Sequence, residues 1–324
     1  MTPIDAVITW VDGDDPVHRA KRRQYGSKDF FQSEDVAAAT RFSSLGEIFW
    51  CVASLNRFAP FLRKIYIVTD AQDPHLEDFL EKTFPEGYIP IEIVDHRTIF
   101  RGYEQYLPTF NSISLETMTW RIPGLSEHYI EFNDDLMLCA PVKPSDFFTE
   151  DGGSICYATK FSLLWAWITR KIKPKRNGRT KVTFKGSQMN AAFLAKQKFF
   201  FFKLNHTPKA LNRVFFEEYF REHPQDMLRN IQYRFRSAEQ FTSQELQYLL
   251  LYRQGRCKVL PVKGNLFFLQ PKRKPNYVAH KLEKLRKSTT CKFCCFNSID
   301  LASDADRRSI LSWIEQRLHI SVSN

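Results

Sequence analysis

Hydrophobic positions along this chain fall first into short unbroken runs and later into helical spacing. Residues 4–11 (IDAVITWV) are almost wholly apolar and rich in β-branched side chains. Asp12-Gly13-Asp14-Asp15-Pro16 stops them, so the pattern predicts a buried strand running into an acidic turn. Residues 44–58 place Leu45, Ile48, Phe49, Val52 and Leu55 at helical intervals behind a capping Ser43 or Ser44. Residues 64–70 (KIYIVTD) and 89–96 (IPIEIVDH) read as further strands, each closing on an acid, Asp70 and Asp95. Residues 108–120, led in by LPTFNS, read as a capped helix. Residues 129–139 (YIEFNDDLMLC) read as a fourth strand interrupted by Asn133-Asp134-Asp135.

Strands alternating with helices predict an α/β fold around a mostly parallel sheet. Such sheets gather their chemistry at the C-terminal ends of the strands. Here Asp12, Asp70 and the Asn133-Asp134-Asp135 group stand at those ends. Residues 1–150 therefore form the expected core. Residues 151–204 contain KIKPKRNGRTKVTFKG without clear periodicity and suggest a basic loop or lid. Residues 205–324 complete the same domain as a helical region: 208–222, 224–231 and 237–253 show helical spacing, short strands follow at 257–262 and 265–269, and an amphipathic helix spans 303–318. Its Ile310, Leu311, Ile314 and Leu318 suit a docked helix better than a membrane anchor.

The 324 residues are 43% hydrophobic and include 29 Phe, which supplies a large core and excludes a disordered chain. The formal charge of +11 favours anionic partners such as nucleotides, phosphorylated sugars or an acidic membrane face, although it also serves plain solubility. The N-terminus lacks the features of a signal peptide, and no apolar run approaches the roughly 18 residues of a spanning helix. Seven Cys are spread irregularly. The expected setting is cytoplasmic and reducing, with peripheral attachment at the inner membrane left open.

Two acids beside an Asn at a strand end suit Mg²⁺, which takes a few carboxylates together with phosphate oxygens and water. A turn is the plainer account of such a triplet. Asp134 and Asp135 are nevertheless the candidate metal ligands, because buried carboxylates are costly without a partner.

Several longer stretches carry a resemblance. IDAVITWVDGDDP (4–16), RFAPFLRKIYIVTDAQDP (57–74), LPTFNSISLE (107–116), RIPGLSEHYIEFNDDLML (121–138), NHTPKALNR (205–213) and FRSAEQF (235–241) resemble the Stealth family, in that family's order. FCCFNSID (293–300) is a weaker match to its last segment. The family contains bacterial capsular polysaccharide phosphotransferases and the animal enzyme that adds N-acetylglucosamine-1-phosphate to lysosomal glycoproteins.

The resemblance implies a glycosyltransferase-A-like or Rossmann-like core that binds a nucleotide sugar. It implies transfer of hexose-1-phosphate from a donor such as a UDP-N-acetylhexosamine or UDP-hexose to a hydroxyl of an oligosaccharide or polysaccharide, in capsule or exopolysaccharide synthesis. The acceptor hydroxyl attacks the phosphorus next to the sugar, and nucleoside monophosphate leaves. By position in the motifs, His206 is the candidate base and Arg236 the candidate phosphoryl clamp, with Asp134 and Asp135 on metal or donor. Asp5, Trp10, Asp12, Arg41, Asn111, Ser126, Asn133 and Arg213 match positions expected around the donor. A helix-capping His, a surface Arg and a core Trp are the alternatives for His206, Arg236 and Trp10.

Departures from the family pattern bear on the substrate more than on the reaction. Many members read Glu-Leu-Arg-Tyr-Ser-Leu-Arg-Ser-Ile where this chain has Glu47 to Leu55, so two family arginines are Phe49 and Ala53 here. The late Asn-Asp pair is Asn297-Ser298, and Gln240 replaces a common acid. Cys291-x-x-Cys294 invites zinc, but zinc wants four ligands and only Cys257 and His280 stand near in sequence. A thiol-rich turn before a buried strand is the expectation. The basic stretches 170–185 and 272–287 come with no nucleic-acid motif, and are expected to meet a phosphate-bearing polymer or an anionic membrane face. A conventional glycosyltransferase that releases nucleoside diphosphate, and a non-catalytic polyanion-binding protein, remain the rival functions.

Overall fold

The structure, a computed structural model, describes residues 2–26, 45–172, 182–272 and 274–320. Strand β1 (Ile4–Thr9) is buried on both faces, as its continuous apolar run requires. It is followed by α1 (Pro16–Tyr25), whose first turn is capped by the Asp15 carboxylate accepting from His18 N at 2.6 Å. Helix α2 (Glu47–Phe58) leads to β2 (Ile65–Thr69), then α3 (Glu77–Thr83) and β3 (Ile91–Asp95), which runs directly into the single turn α4 (His96–Ile99). Ser43 and Ser44 lie outside the described residues. The N-cap of α2 is Gly46, at φ +88°, a conformation that suits glycine.

The expected helix over 108–120 is cut to α5 (Ser112–Glu116) and a 3-10 turn at Thr119–Arg121. The Thr117 hydroxyl donates to Ile113 O and the Thr119 hydroxyl to Glu116 O. Such short side chains offer the backbone alternative partners and shorten helices. The segment 129–139 bends at Asp134-Asp135 into β4 (His128–Asn133) and β5 (Leu136–Leu138), which join different sheets.

The described residues of 151–204 do not form an irregular lid. They hold β6 (Ser154–Ser162), α6 (Leu163–Ile172), α7 (Phe184–Leu194) and β7 (Phe200–Leu204). The basic segment 173–181 lies outside the described residues. The expected helix 208–222 begins instead as β8 (Lys209–Asn212) and becomes α8 (Arg213–Glu222) where Asn212 caps Phe215 N at 2.8 Å. Then come α9 (Pro224–Ile231), α10 (Ser243–Arg253), β9 (Cys257–Leu260), β10 (Leu266–Leu269), α11 (Tyr277–Arg286), β11 (Phe293–Phe296) and α12 (Asp304–Leu318).

The main sheet has the order β3-β2-β1-β4-β8. Its first four strands are parallel, and β8 closes one edge antiparallel to β4. The fold is thus α/β with a mostly parallel core. Alternate residues of each strand feed two cores. Ile4, Ala6, Ile8, Ile65, Ile67, Ile130 and Phe132 face α2, α12 and the small sheet β10-β11-β5. Val7, Tyr66, Val68 and Tyr129 face α7, α8 and α10 with the third sheet, β7-β6-β9. Helix α12 docks through Ile310, Trp313, Ile314 and Leu318, all buried. No helix among the described residues is long and apolar enough to cross a membrane.

Candidate functional site

The chain lays β2 and β3 on one side of β1, then crosses over to place β4 on the other. At such a reversal the loops leaving the two strands diverge and open a crevice at the strand C-termini. Thr9 of β1 stands in register with Asn133 of β4, so Trp10–Asp12 and Asp134–Asp135 leave the sheet side by side. Trp10 is buried at 7% exposure, and its Nε1 has no hydrogen-bond partner among the described residues. The Asp12 backbone is clamped by Gln72, with Asp12 N donating to Oε1 at 2.9 Å and Gln72 Nε2 donating to Asp12 O at 3.0 Å.

Asn133 is exposed, whereas Asp134 and Asp135 are half-buried. Burial, then the neighbouring Asp135 and Glu47, push the Asp134 carboxyl well above the usual carboxylate range. Asp135 accepts from Asn297 Nδ2 at 3.0 Å and from Cys295 Sγ at 3.4 Å through Oδ2, while its buried Oδ1 has no partner among the described residues. Crowded acids with an unsatisfied carboxylate oxygen are the donor set a hard divalent cation takes.

His206 lies in the loop between β7 and β8, and β8 pairs with β4 so that Lys209 faces Glu131. That pairing brings the loop over the same end of the sheet. Donor atoms of His206, Asp135 and Cys295 fall within 4.8 Å of one another. The imidazole stacks on Phe268, centroids 5.1 Å apart. Loss of surrounding water lowers its pKa, Asp135 opposes that shift, and Lys209 and Arg236 reinforce it. The ring is therefore neutral near pH 7 and can accept a proton. Lys209 donates to Asn205 O at 2.5 Å and Thr207 Oγ1 at 3.0 Å, fixing the turn that presents His206. Burial lowers the Lys209 pKa to about 8, against the pull of Glu131, Glu116 and Glu245.

Arg236 is exposed on the loop between α9 and α10 and donates to Ser112 Oγ at 2.8 Å. Its loop is held from beneath. Asn111 donates to Tyr233 O at 3.0 Å and Gln240 Oε1 at 2.8 Å, and Gln240 donates to Asn230 O at 2.7 Å.

The structure thus gathers Trp10, Asp12, Asn133, Asp134, Asp135, His206 and Arg236 at one end of the sheet. Four expectations are corrected. Asp5 is fully buried and bound by Arg63 at 2.8 and 2.6 Å and by Ser126 N at 2.7 Å. It sits four residues before the end of β1, about 13 Å from the crevice edge. Asp5 and Ser126 therefore pin the start of the sheet and do not line a donor pocket. Arg213 follows β8 at that same far end, pairs with Glu217 at 2.8 Å and lines a separate cleft of ≈ 490 Å³ with Trp120–Leu125. It does not line the crevice that holds His206. Asn111 is wholly buried and positions the Arg236 loop. Arg41 lies outside the described residues. Glu47, Lys209, Cys295 and Asn297 are site neighbours that local sequence did not assign.

Residues 2–29 match the pattern described as Stealth protein CR1, conserved region 1, and residues 41–156 match Stealth protein CR2, conserved region 2. These regions include the strand ends bearing Trp10, Asp12, Asp134 and Asp135. Among relatives, the receptor polysaccharide phosphotransferase WefC of Streptococcus oralis is 38% identical over 152 residues, 47% of this chain and 43% of that protein. The exopolysaccharide phosphotransferase SCO6023 of Streptomyces coelicolor is 32% identical over 311 residues, 95% of this chain and 49% of that protein. The chain thus spans about half or less of the length of these relatives. A galactosyltransferase structure, LgtC with donor and acceptor sugar analogs, overlaps 99% of this chain and 97% of its own at 10% identity and a TM-score of 0.49. With two conserved regions in order across the crevice-forming strands, and a relative aligned along nearly its whole length, this chain belongs to the Stealth family.

Proposed function

We propose that the chain transfers hexose-1-phosphate from a nucleotide-diphosphate sugar, such as a UDP-hexose or UDP-N-acetylhexosamine, to a sugar hydroxyl during capsule or exopolysaccharide synthesis. The observation that carries this reading is the convergence of His206, from the loop before β8, on Asp135, from the turn after β4. A neutral imidazole beside a carboxylate is a base whose protonated form is stabilised as it arises.

In this reading the donor diphosphate occupies the crevice between the ends of β1 and β4, with the Trp10 Nε1 and the Asp12 turn on its nucleotide side. His206 takes the proton of the acceptor hydroxyl as its oxygen bonds the phosphorus next to the sugar. The bond from that phosphorus to the nucleoside monophosphate breaks. The Arg236 guanidinium offers a planar fork to the phosphoryl oxygens. Asp134 and Asp135 would hold Mg²⁺, which when bound supplies neutralisation of diphosphate charge. Names of the relatives, all polysaccharide phosphotransferases, support the same substrate class.

The deciding experiment incubates the purified chain with a panel of UDP-sugars, an oligosaccharide acceptor and Mg²⁺. Release of UMP that depends on acceptor is the expected result. Release of UDP would assign a conventional glycosyltransferase instead.

An attachment site belongs to the same proposal. Leu164 and Trp165 at the start of α6 are 66% and 57% exposed, and Phe199, tied to Leu163 N by its carbonyl at 3.0 Å, is 78% exposed. The sequence continues into Arg170, Lys171, Lys173, Lys175 and Arg176. Exposed aromatic and aliphatic side chains beside a cationic run suit the surface of an anionic bilayer.

A further inference from the structure

Beyond the catalytic crevice, three cysteines meet on the other side of the β5–β11 pair. Cys139 follows β5, Cys291 precedes β11, and Cys294 lies within it; Cys139 N donates to Lys292 O at 2.9 Å. The antiparallel register sets Phe293 against Leu138 and Cys294 against Met137. All three sulfurs fall within 4.8 Å of one another, and Cys139 Sγ and Cys291 Sγ are 3.7 Å apart. Strand alternation separates this cluster from the crevice, because Cys295, the next residue, turns toward Asp135. In sequence Cys291 and Cys294 lack a second pair; the missing ligand comes from a residue 152 positions earlier.

We propose that Cys139, Cys291 and Cys294 form a three-thiolate site for a soft d¹⁰ cation of the zinc class. Two sulfurs on a tetrahedral zinc, with bonds of about 2.3 Å, stand about 3.8 Å apart, close to the Cys139–Cys291 spacing. Soft sulfur donors select zinc over magnesium, which the oxygen-rich crevice suits. Three thiolates on a divalent ion leave one negative charge. Arg317, which donates to Cys139 O at 2.5 Å, stands beside the cluster to balance it. Cys291 is partly buried and Cys294 fully buried, so the three sulfurs would fill three positions of a tetrahedral shell and leave the fourth to a small ligand such as water.

The site acts as a staple. Cys139 directly follows the strand that leaves the Asp134-Asp135 turn, and Cys294 belongs to the strand that delivers Cys295 and Asn297 to Asp135. Metal across the pair fixes how those partners meet.

The test uses the full chain expressed in zinc-supplemented medium. Elemental analysis should find one zinc per chain, and a mercurial thiol reagent should release it to a chromogenic chelator from the folded protein. Cobalt-exchanged protein should show a thiolate-to-metal charge-transfer band. Cys291→Ser should lose the ion, whereas His206→Ala, at the crevice cluster, should keep it. Zinc content well below one per chain overturns the proposal. So does zinc that survives Cys291→Ser but vanishes in His206→Ala, or a chain two hydrogens light with a Cys139–Cys291 disulfide. The mercurial release needs no variant, so a misfolded Cys291→Ser leaves the test intact.

Discussion

Asn111 and Gln240 share a buried hydrogen bond of 2.8 Å, and through it the start of α5 holds the loop that carries Arg236. Gln240 Oε1 also accepts from Ser237 N at 2.9 Å, so one side chain ties the loop at both ends. Replacing Asn111 by Ala removes two donated bonds and strands buried acceptors, a loss of about 1–3 kcal/mol. We expect a lowered melting temperature together with a reduced kcat, because Arg236 loses its fixed approach. Calorimetry and turnover on the same sample check this, and a stable variant with normal kcat would detach the loop from catalysis.

His206→Ala should cut turnover by roughly 10²–10⁴, the range for removing a general base, while donor affinity stays as it was. Titration calorimetry with the nucleotide sugar separates the two. Unchanged turnover in the folded variant rejects the assignment.

Asp135→Asn should leave the fold intact, because the amide can still accept from Asn297, but should abolish Mg²⁺-dependent donor binding. Chelation of the wild-type protein should mimic it. Activity indifferent to both chelator and substitution would remove the cation from the proposal.

His96 is buried, neither ring nitrogen has a hydrogen-bond partner among the described residues, and burial lowers its pKa from 6.5 to about 4. The unfolded chain binds a proton near 6.5 while the folded one resists. The His96 contribution is therefore complete above pH 6.5 and is lost as pH falls toward 4, at up to about 1.4 kcal/mol per pH unit. His96→Phe should flatten that decline in thermal melts between pH 6.5 and 4; an unaltered slope would place the proton uptake elsewhere.

Leu164→Ser with Trp165→Ser and Phe199→Ser should lower sedimentation with anionic vesicles without changing turnover on a soluble acceptor. Equal binding to neutral vesicles by the parent chain would argue against a charged bilayer as the target.

Much of the sheet was legible in the sequence because fully buried strands announce themselves as apolar runs with acidic stops. The motif acids Asp134 and Asp135 were legible for the same reason. Which end of a strand a motif residue occupies is less visible. Asp5 and Asp12 belong to one motif, yet opposite ends of β1 give one an arginine partner and the other a place at the crevice. Strand β8 was hidden because its four residues precede a strongly amphipathic helix, and without it Arg213 could not be placed at the far end of the sheet. Lys209 and Asn297 were missed as site neighbours since their partners are set by pairing between distant strands.

The dependence of Asp135 on Cys295 and Asn297, 160 and 162 residues later, bears on when the crevice can exist at all. During synthesis β1 to β4 can pair as soon as they clear the ribosome, but the acidic turn has no β11 to lean on until about 160 further residues are made. Contacts that span so much sequence form late. A chain stalled before β11 would thus carry the recognisable motifs with an unbuttressed acidic turn, and the finished crevice would wait for that strand.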